Sequence, residues 1–386
     1  MPEGERTLSR RERASRALVE RLHRDVVADP GSLDRASAAG ATAVLLAVAV
    51  HAVTVLLILG AVAVVALVRP WWWGALLGLP LAALAWLVLP RPPRMPEGAR
   101  PAQSRTLEAL VARIAAAVGT VPPHAVVVSC ETNAGYTVVG LRRRRVLVIG
   151  LPLWVALGPE ARVAVLAHEL GHAVNGDARR GLLVGSALDS LGEWAALCRY
   201  DVAWTGVRVP MQDSDMVSAA NAAESLAGAL LRVLGLVPRG LHLALLGATM
   251  RSSQRAEYRA DRISWRVAGR EAALAGLECV LLSPVVDTAI RRSVMARRRD
   301  VLGEVREAAA AVDSGTRSML AAEAEGRRSS YDSHPPEDLR LSFVASLSDR
   351  DPEVVLTPED SAVIDAELVD AFAWADRVLY DEHVGR

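Results

Sequence analysis

Two uncharged runs near the N-terminus decide much of what this chain can become. Residues 36–68 carry no charged side chain, passing through AVLLAVAVHAVTVLLILGAVAVVALV, and after Arg69-Pro70 a second run, WWWGALLGLPLAALAWLVL, covers 71–89. The first exceeds the roughly 20 apolar residues that cross a bilayer. Helices of such length without a charge are rare in soluble cores. Trp71, Trp72, Trp73 and Trp86 sit near the ends of the second run, where interfacial tryptophan belongs. The runs predict a transmembrane helical hairpin over 36–90. A cleaved signal peptide fits poorly, because the apolar run is too long and starts too late. His51 and Thr54 lie mid-span and are expected to hydrogen-bond to the neighbouring helix or back to a carbonyl.

Arginine orients the hairpin. There is no lysine, so all 44 basic residues are arginine. Eight precede the first run, Arg69 alone lies in the turn, and Arg91, Arg94, Arg100 and Arg105 follow. The positive-inside rule puts both ends in the cytoplasm and the turn outside. The expected location is the cell membrane, multi-pass, with the large C-terminal domain cytoplasmic. Acidic residues also number 44, so the charge balance points to no nucleic-acid partner. Cys130, Cys198 and Cys279 have no paired spacing and read as isolated thiols in a reducing compartment.

PRPPRMPEGARP, residues 90–101, cannot be helical throughout. The expected organisation is an Arg-rich cytoplasmic segment at 1–35, the hairpin at 36–90, a proline-rich linker at 91–103, one domain at 104–345, and an acidic tail at 346–386 read as a solvated helical cap. The domain opens with a predicted helix from Ser104 to Val118. Strand-like runs follow at 125–129, 136–140 and 145–150, the last two flanking a basic turn, Arg142 to Arg145, that either is solvated or touches lipid headgroups. Beyond 150 the pattern is helical, so the expected fold class is α+β, mainly α, with a small β-sheet.

AHELGHAVNGD, residues 167–177, carries the chemistry. Gly158-Pro159-Glu160 starts a helix, and Gly176 is a plausible stop. Val163, Leu166, Leu170 and Val174 make one apolar stripe. His168 and His172 are one turn apart on an adjacent face and can reach one ion, with Glu169 beside them to take a proton from metal-bound water. A catalytic zinc needs a third ligand. In QRAEYRADR, residues 254–262, Glu257 can supply it, and Asp261, one turn on, can accept the other N–H of a ligating histidine. Alone, that segment reads as a solvated face with both acids paired to Arg255, Arg259 or Arg262. Beside H-E-x-x-H it reads as the rest of a metal site.

SHPPEDLR follows at 333–340. Taken in order over roughly residues 40–345, the two spans, H-E-L-G-H with Asp177 after it, E-Y-x-A-D, and H-P-P with a downstream arginine resemble the HtpX-like membrane zinc peptidases, relatives of the CAAX prenyl protease. ETNAGYTVVG, residues 131–140, resembles that family's Asn-Ala segment beside the cleft. The resemblance implies a zincin-type (gluzincin) domain with one Zn²⁺ per chain on His168, His172 and Glu257, and Glu169 as general base. It implies Asp261 behind the ligands, His334 and Arg340 lining the cleft with His334 as oxyanion donor, and Asn133 and Ala134 on the strand to which substrate adds. Asp177 matches a family position without an assigned role. The implied substrates are polypeptides, membrane or misfolded proteins cut beside the lipid bilayer.

The chain departs from the family pattern where two more membrane segments are usual. Asp189 and Glu193 interrupt one, and Arg232, Pro238 and Arg239 the other, so neither is expected to span. Two other functions fit the same motifs: a membrane-bound sensor that cuts one regulatory protein, and an inactive scaffold that keeps zinc for structure.

Overall fold

The structure, a computed structural model, describes residues 10–35, 37–87, 89, 94–140, 142–174, 177–198, 233–313, 315–317, 319–320, 322 and 335–384. In chain order its elements are α1 (Arg10–Ala28), a 3-10 turn (Pro30–Asp34), α2 (Ala38–Leu67), α3 (Trp71–Leu87), β1 (Arg100–Pro101), α4 (Arg105–Val118), β2 (Ala125–Ser129), β3 (Ala134–Val139) and β4 (Arg144–Gly150). Then come α5 (Leu151–Ala156), α6 (Pro159–Val174), α7 (Asp177–Leu197), α8 (Leu236–Ala268), α9 (Arg270–Leu281), α10 (Ser283–Met295), α11 (Val301–Ala310), α12 (Glu337–Ser346), α13 (Pro358–Glu367) and α14 (Val369–Val384). The described residues are thus mostly helical with one small mixed sheet. Contacts divide it into two units: Met1–Ala36, Pro92–Arg179 and Met250–Arg386 in the first, Ser37–Arg91 and Arg180–Thr249 in the second.

The second unit holds α2, α3, most of α7 and the start of α8. Ser37 caps α2, its hydroxyl accepting from the Gly40 amide at 2.9 Å. Small side chains let helices close: Ala43 and Ala47 of α2 pack with Val184, Ala187 and Leu191 of α7 and with Leu245 and Ala248 of α8. A Cβ on Gly78 of α3 would collide with Val65 of α2, so that crossing needs glycine. The mid-helix polar groups find the partners expected of them. His51 Nε2 lies 3.0 Å from the Leu183 carbonyl and 3.2 Å from Ser186 Oγ, and Thr54 donates to the Val50 carbonyl at 3.3 Å. Among the described residues, α2 is the one unbent helix long and apolar enough to cross a membrane. Asp189, Glu193 and Arg239 are exposed along α7 and α8.

The first unit is built on a sheet of order β1-β2-β4-β3. β2 runs parallel to β4, Ala125 opposite Val146 through Ser129 opposite Gly150, and β3 pairs antiparallel on the far side, from Ala134 opposite Ile149 to Val139 opposite Arg144. That leaves β3 at the sheet's edge. The helix expected from Ser104 forms as α4, with Ser104 accepting from the Leu107 amide and Gly119 closing it in the left-handed region. Its Leu107, Leu110 and Ile114 pack with Val128 and Leu147 of the sheet and Leu166 and Leu170 of α6.

Three expectations need correction. The linker at 91–103 does not run free to its end: Arg100 and Pro101 pair with Val128 and Val127, and Ala102 is buried. Residues 346–386 are no solvated tail. Their acids alternate with Leu356, Ile364, Leu368, Trp374 and Leu379, all buried in the main core, so α13 and α14 finish that core instead of capping it. Residues 1–35 are no separate segment either, since Val26 and Leu33 are fully buried among residues of α8, α9 and α12.

Candidate metal centre

α6 begins at Pro159, and Val163, Leu166 and Leu170 fix its inner face. Val174, the fourth member of the expected stripe, is instead 45% exposed. Gly176, the expected stop, lies outside the described residues. α8 packs across α6 at Gly171, where an added Cβ would stand 3.3 Å from the Ala260 Cα. A larger residue would hold the helices apart. Ser264 of α8 ties the crossing with a 2.8 Å bond to the Ala164 carbonyl. Glycine between the two histidines therefore sets how near Glu257 comes to them.

The result is a convergence of three donors. His168 Nε2 is 3.2 Å from Glu257 Oε2, and His172 Nε2 is 3.5 Å from Glu257 Oε1. One ligand atom from each of the three residues can be chosen so that all lie within 4.8 Å of one another. Two imidazoles and a carboxylate, with Glu257 buried and both histidines reachable, suit a zinc ion with one position left open. Among the described residues no other such group occurs.

Behind the donors lies a buried charge network. His168 Nδ1 sits 3.0 Å from Asp261 Oδ1, which orients the ring so that Nε2 faces Glu257. Arg340 grips Asp261 with two prongs, Nε to Oδ2 at 2.9 Å and Nη2 to Oδ1 at 2.6 Å. Its Nη2 is also 3.4 Å from Glu257 Oε2. Burial opposes the charge on His168, but its hydrogen bonds to Asp261 and Glu257 outweigh that and push its pKa up to about 10. Burial likewise opposes the Asp261 carboxylate, yet Arg340 and His168 hold its pKa below the usual range. His168, Asp261, Glu257 and Arg340 thus form one buried ion cluster.

The donors face a cavity of about 470 Å³. Thr132 to Tyr136, spanning the start of edge strand β3, line one side of it. Leu153, Val165, Leu277 and Val280 give another side an apolar surface. Glu169 lines the cavity beside the two histidines, half-buried.

Of the residues expected from sequence, His168, Glu169, His172, Glu257, Asp261, Asn133 and Ala134 come together on this one cavity. Asn133 Oδ1 accepts from the Ala134 amide at 2.8 Å, and its carbonyl accepts from Gly150. Arg340 lines the same cavity, as expected, and is buried there with its guanidinium fork taken by Asp261, so it also braces the network. His334 lies outside the described residues. Asp177 opens α7, and its side chain is also outside them. The apolar wall from α9 had no signal in the sequence. Val165 had one, lying three residues before His168 on the same helix. Arg255, Arg259 and Arg262 bond to the 3-10 turn at Pro30–Asp34, where the solvated-face reading of that segment had them pair with its own acids.

A sequence model of Peptidase family M48 matches residues 101–348. No curated protein matches the chain.

Proposed function

The chain belongs to peptidase family M48, a family of zinc-dependent proteases, and on that premise we propose that it is a membrane-anchored zinc endopeptidase that cuts membrane or misfolded polypeptides. The observation that carries the reading is the convergence of His168, His172 and Glu257 at a cavity walled on one side by an edge strand. A zinc ion on those three residues would supply a Lewis acid that polarises a peptide carbonyl and acidifies water.

The chain's own groups do the rest. Glu169 is outside the three-donor group, so its carboxylate accepts a proton from water and hands it to the leaving amine. Asp261 fixes the tautomer of His168, and Arg340 keeps Asp261 ionised. Substrate lies extended along β3, so that main-chain hydrogen bonds give affinity and sequence preference is loose. His334 keeps the role that the resemblance implies, donor to the tetrahedral oxyanion. The apolar length of α2 and the tryptophans of α3 support a bilayer anchor with the peptidase unit on the cytoplasmic side.

Glu169→Gln tests this reading. It keeps the size of the side chain and cannot accept the proton. Casein cleavage by the detergent-purified chain should fall at least about a hundredfold, with zinc content unchanged. Equal cleavage by both proteins would refute the assignment of Glu169. A wild-type chain that holds zinc and cuts nothing would favour the scaffold instead.

A further inference from the structure

The segment before the first apolar helix has no part in the chemistry described so far, yet it packs directly behind it. α8 carries two kinds of residue on opposite sides. Glu257 and Asp261 face the cavity. Arg255 and Arg259, each two residues from Glu257, and Arg262, five residues from it, lie about 140–200° around the helix from that acid and face the other way. All three donate to the turn at Pro30–Asp34. Arg255 bonds the Ser32 carbonyl, Arg259 the Leu33 carbonyl through Nε at 2.6 Å, and Arg262 the Pro30 carbonyl at 2.7 Å. Arg262 also pairs with Asp34. Asp29 shapes the turn by accepting from the Ser32 amide at 3.2 Å.

The apolar side of this clasp is as specific. Leu33 and Val26 are fully buried against Tyr258, Phe343, Val344 and Leu277. Tyr258 is the neighbour of Glu257 and stands edge-on to Phe343, ring centroids 5.3 Å apart. Phe343 comes one helical turn after Arg340 on α12. Leu277, on α9, also lines the cavity. The small core that receives the clasp therefore joins the three helices that present the third donor, the brace on Asp261 and the apolar wall.

We infer that α1 and its 3-10 turn form a positioning clasp for the metal centre, holding α8 at the rotation that points Glu257 and Asp261 at His168 and His172. No clasp residue touches substrate or metal. The inference rests on the zinc site proposed above and assigns residues 10–35 a place in it. A helix that turns by a few degrees moves its carboxylates away from the two imidazoles, and groups behind ligands typically change metal affinity 10–100-fold.

The test measures zinc affinity by chelator competition on the full chain in detergent, together with thermal unfolding. Leu33→Ala and Arg259→Ala loosen the clasp. Leu379→Ala, buried in the other core on α14, which packs against α10 and α11, is the control for lost stability alone. The clasp variants should bind zinc 10–100-fold more weakly at temperatures where they stay folded. Arg259→Lys, which keeps a cationic donor, should fall between Arg259→Ala and wild type. Leu379→Ala should unfold earlier and bind zinc normally. Should Leu33→Ala fail to fold, Arg255→Ala and Arg259→Ala carry the test, since they leave the apolar plug in place. Wild-type affinity in the arginine variants, or an equal loss in Leu379→Ala, overturns the clasp. A wild-type chain without zinc overturns the metal site instead.

Discussion

His168 is held between two carboxylates. Burial opposes its charge, but the hydrogen bonds to Asp261 and Glu257 push its pKa up to about 10, against 6.5 for a free imidazole. A metal can take Nε2 only after the proton leaves, so loading the site should release one proton at neutral pH. Zinc affinity should then climb about tenfold per pH unit between pH 7 and 9. Chelator competition at three pH values checks this, and a flat profile would rule it out. The sign for the empty site is opposite. A raised folded-state pKa stabilises fully below the unfolded value of 6.5 and is lost as pH rises through about 10. The metal-free protein should therefore melt at lower temperature as pH goes from 6.5 to 10.

At the level of elements, the C-terminal helices explain how α6 is seated. Arg162 of α6 is buried, lies over the Trp154 ring, and pairs with Asp365 of α13 at 3.0 Å. Trp154 Nε1 donates to the same carboxylate at 2.9 Å, and Ser361 accepts from Arg162 at 2.7 Å. One acid from the stretch that looked like a solvated tail thus neutralises a buried cation at the root of the histidine-bearing helix. Asp365→Ala should leave that cation without its carboxylate and cost about 3 kcal/mol. Thermal unfolding in detergent should show a melting point lower by several degrees. An unchanged melting point would mean that water replaces the carboxylate and that α13 is dispensable to α6.

At the level of the whole molecule, the longest apolar helix falls in the second of the two units. The unit at Ser37–Arg91 and Arg180–Thr249 exposes Leu45, Leu56, Leu59, Val62 and Leu67 along α2, a surface that suits lipid better than water. The proposed topology places Arg69-Pro70 outside the cell and both termini inside. A reporter fused after residue 70 should read as extracytoplasmic and one at the C-terminus as cytoplasmic. Reversed signals would overturn the orientation, and release of both fusions by alkaline carbonate would overturn the anchor itself.

What the amino-acid order determined alone is local or periodic. Apolar runs of fixed length, His168 and His172 one turn apart, Glu257 and Asp261 one turn apart, and the strand AVVVS at Ala125–Ser129 are all legible because helix and strand geometry act over a few residues. What only the tertiary structure decided depends on which faces meet. Val174 continues the helical stripe by spacing, yet it is exposed at the end of α6. Arg340 lines the cavity as its motif implies, but that Asp261 takes both prongs of its guanidinium is visible only in the fold. Arg255, Arg259 and Arg262 had acids beside them in sequence, yet they bond carbonyls more than 220 positions away. The acidic C-terminal stretch looked soluble by charge, but its apolar residues fall on the sides of α13 and α14 that the core covers. Burial and long-range pairing are properties of the assembled surface, and no window of the sequence contains both partners.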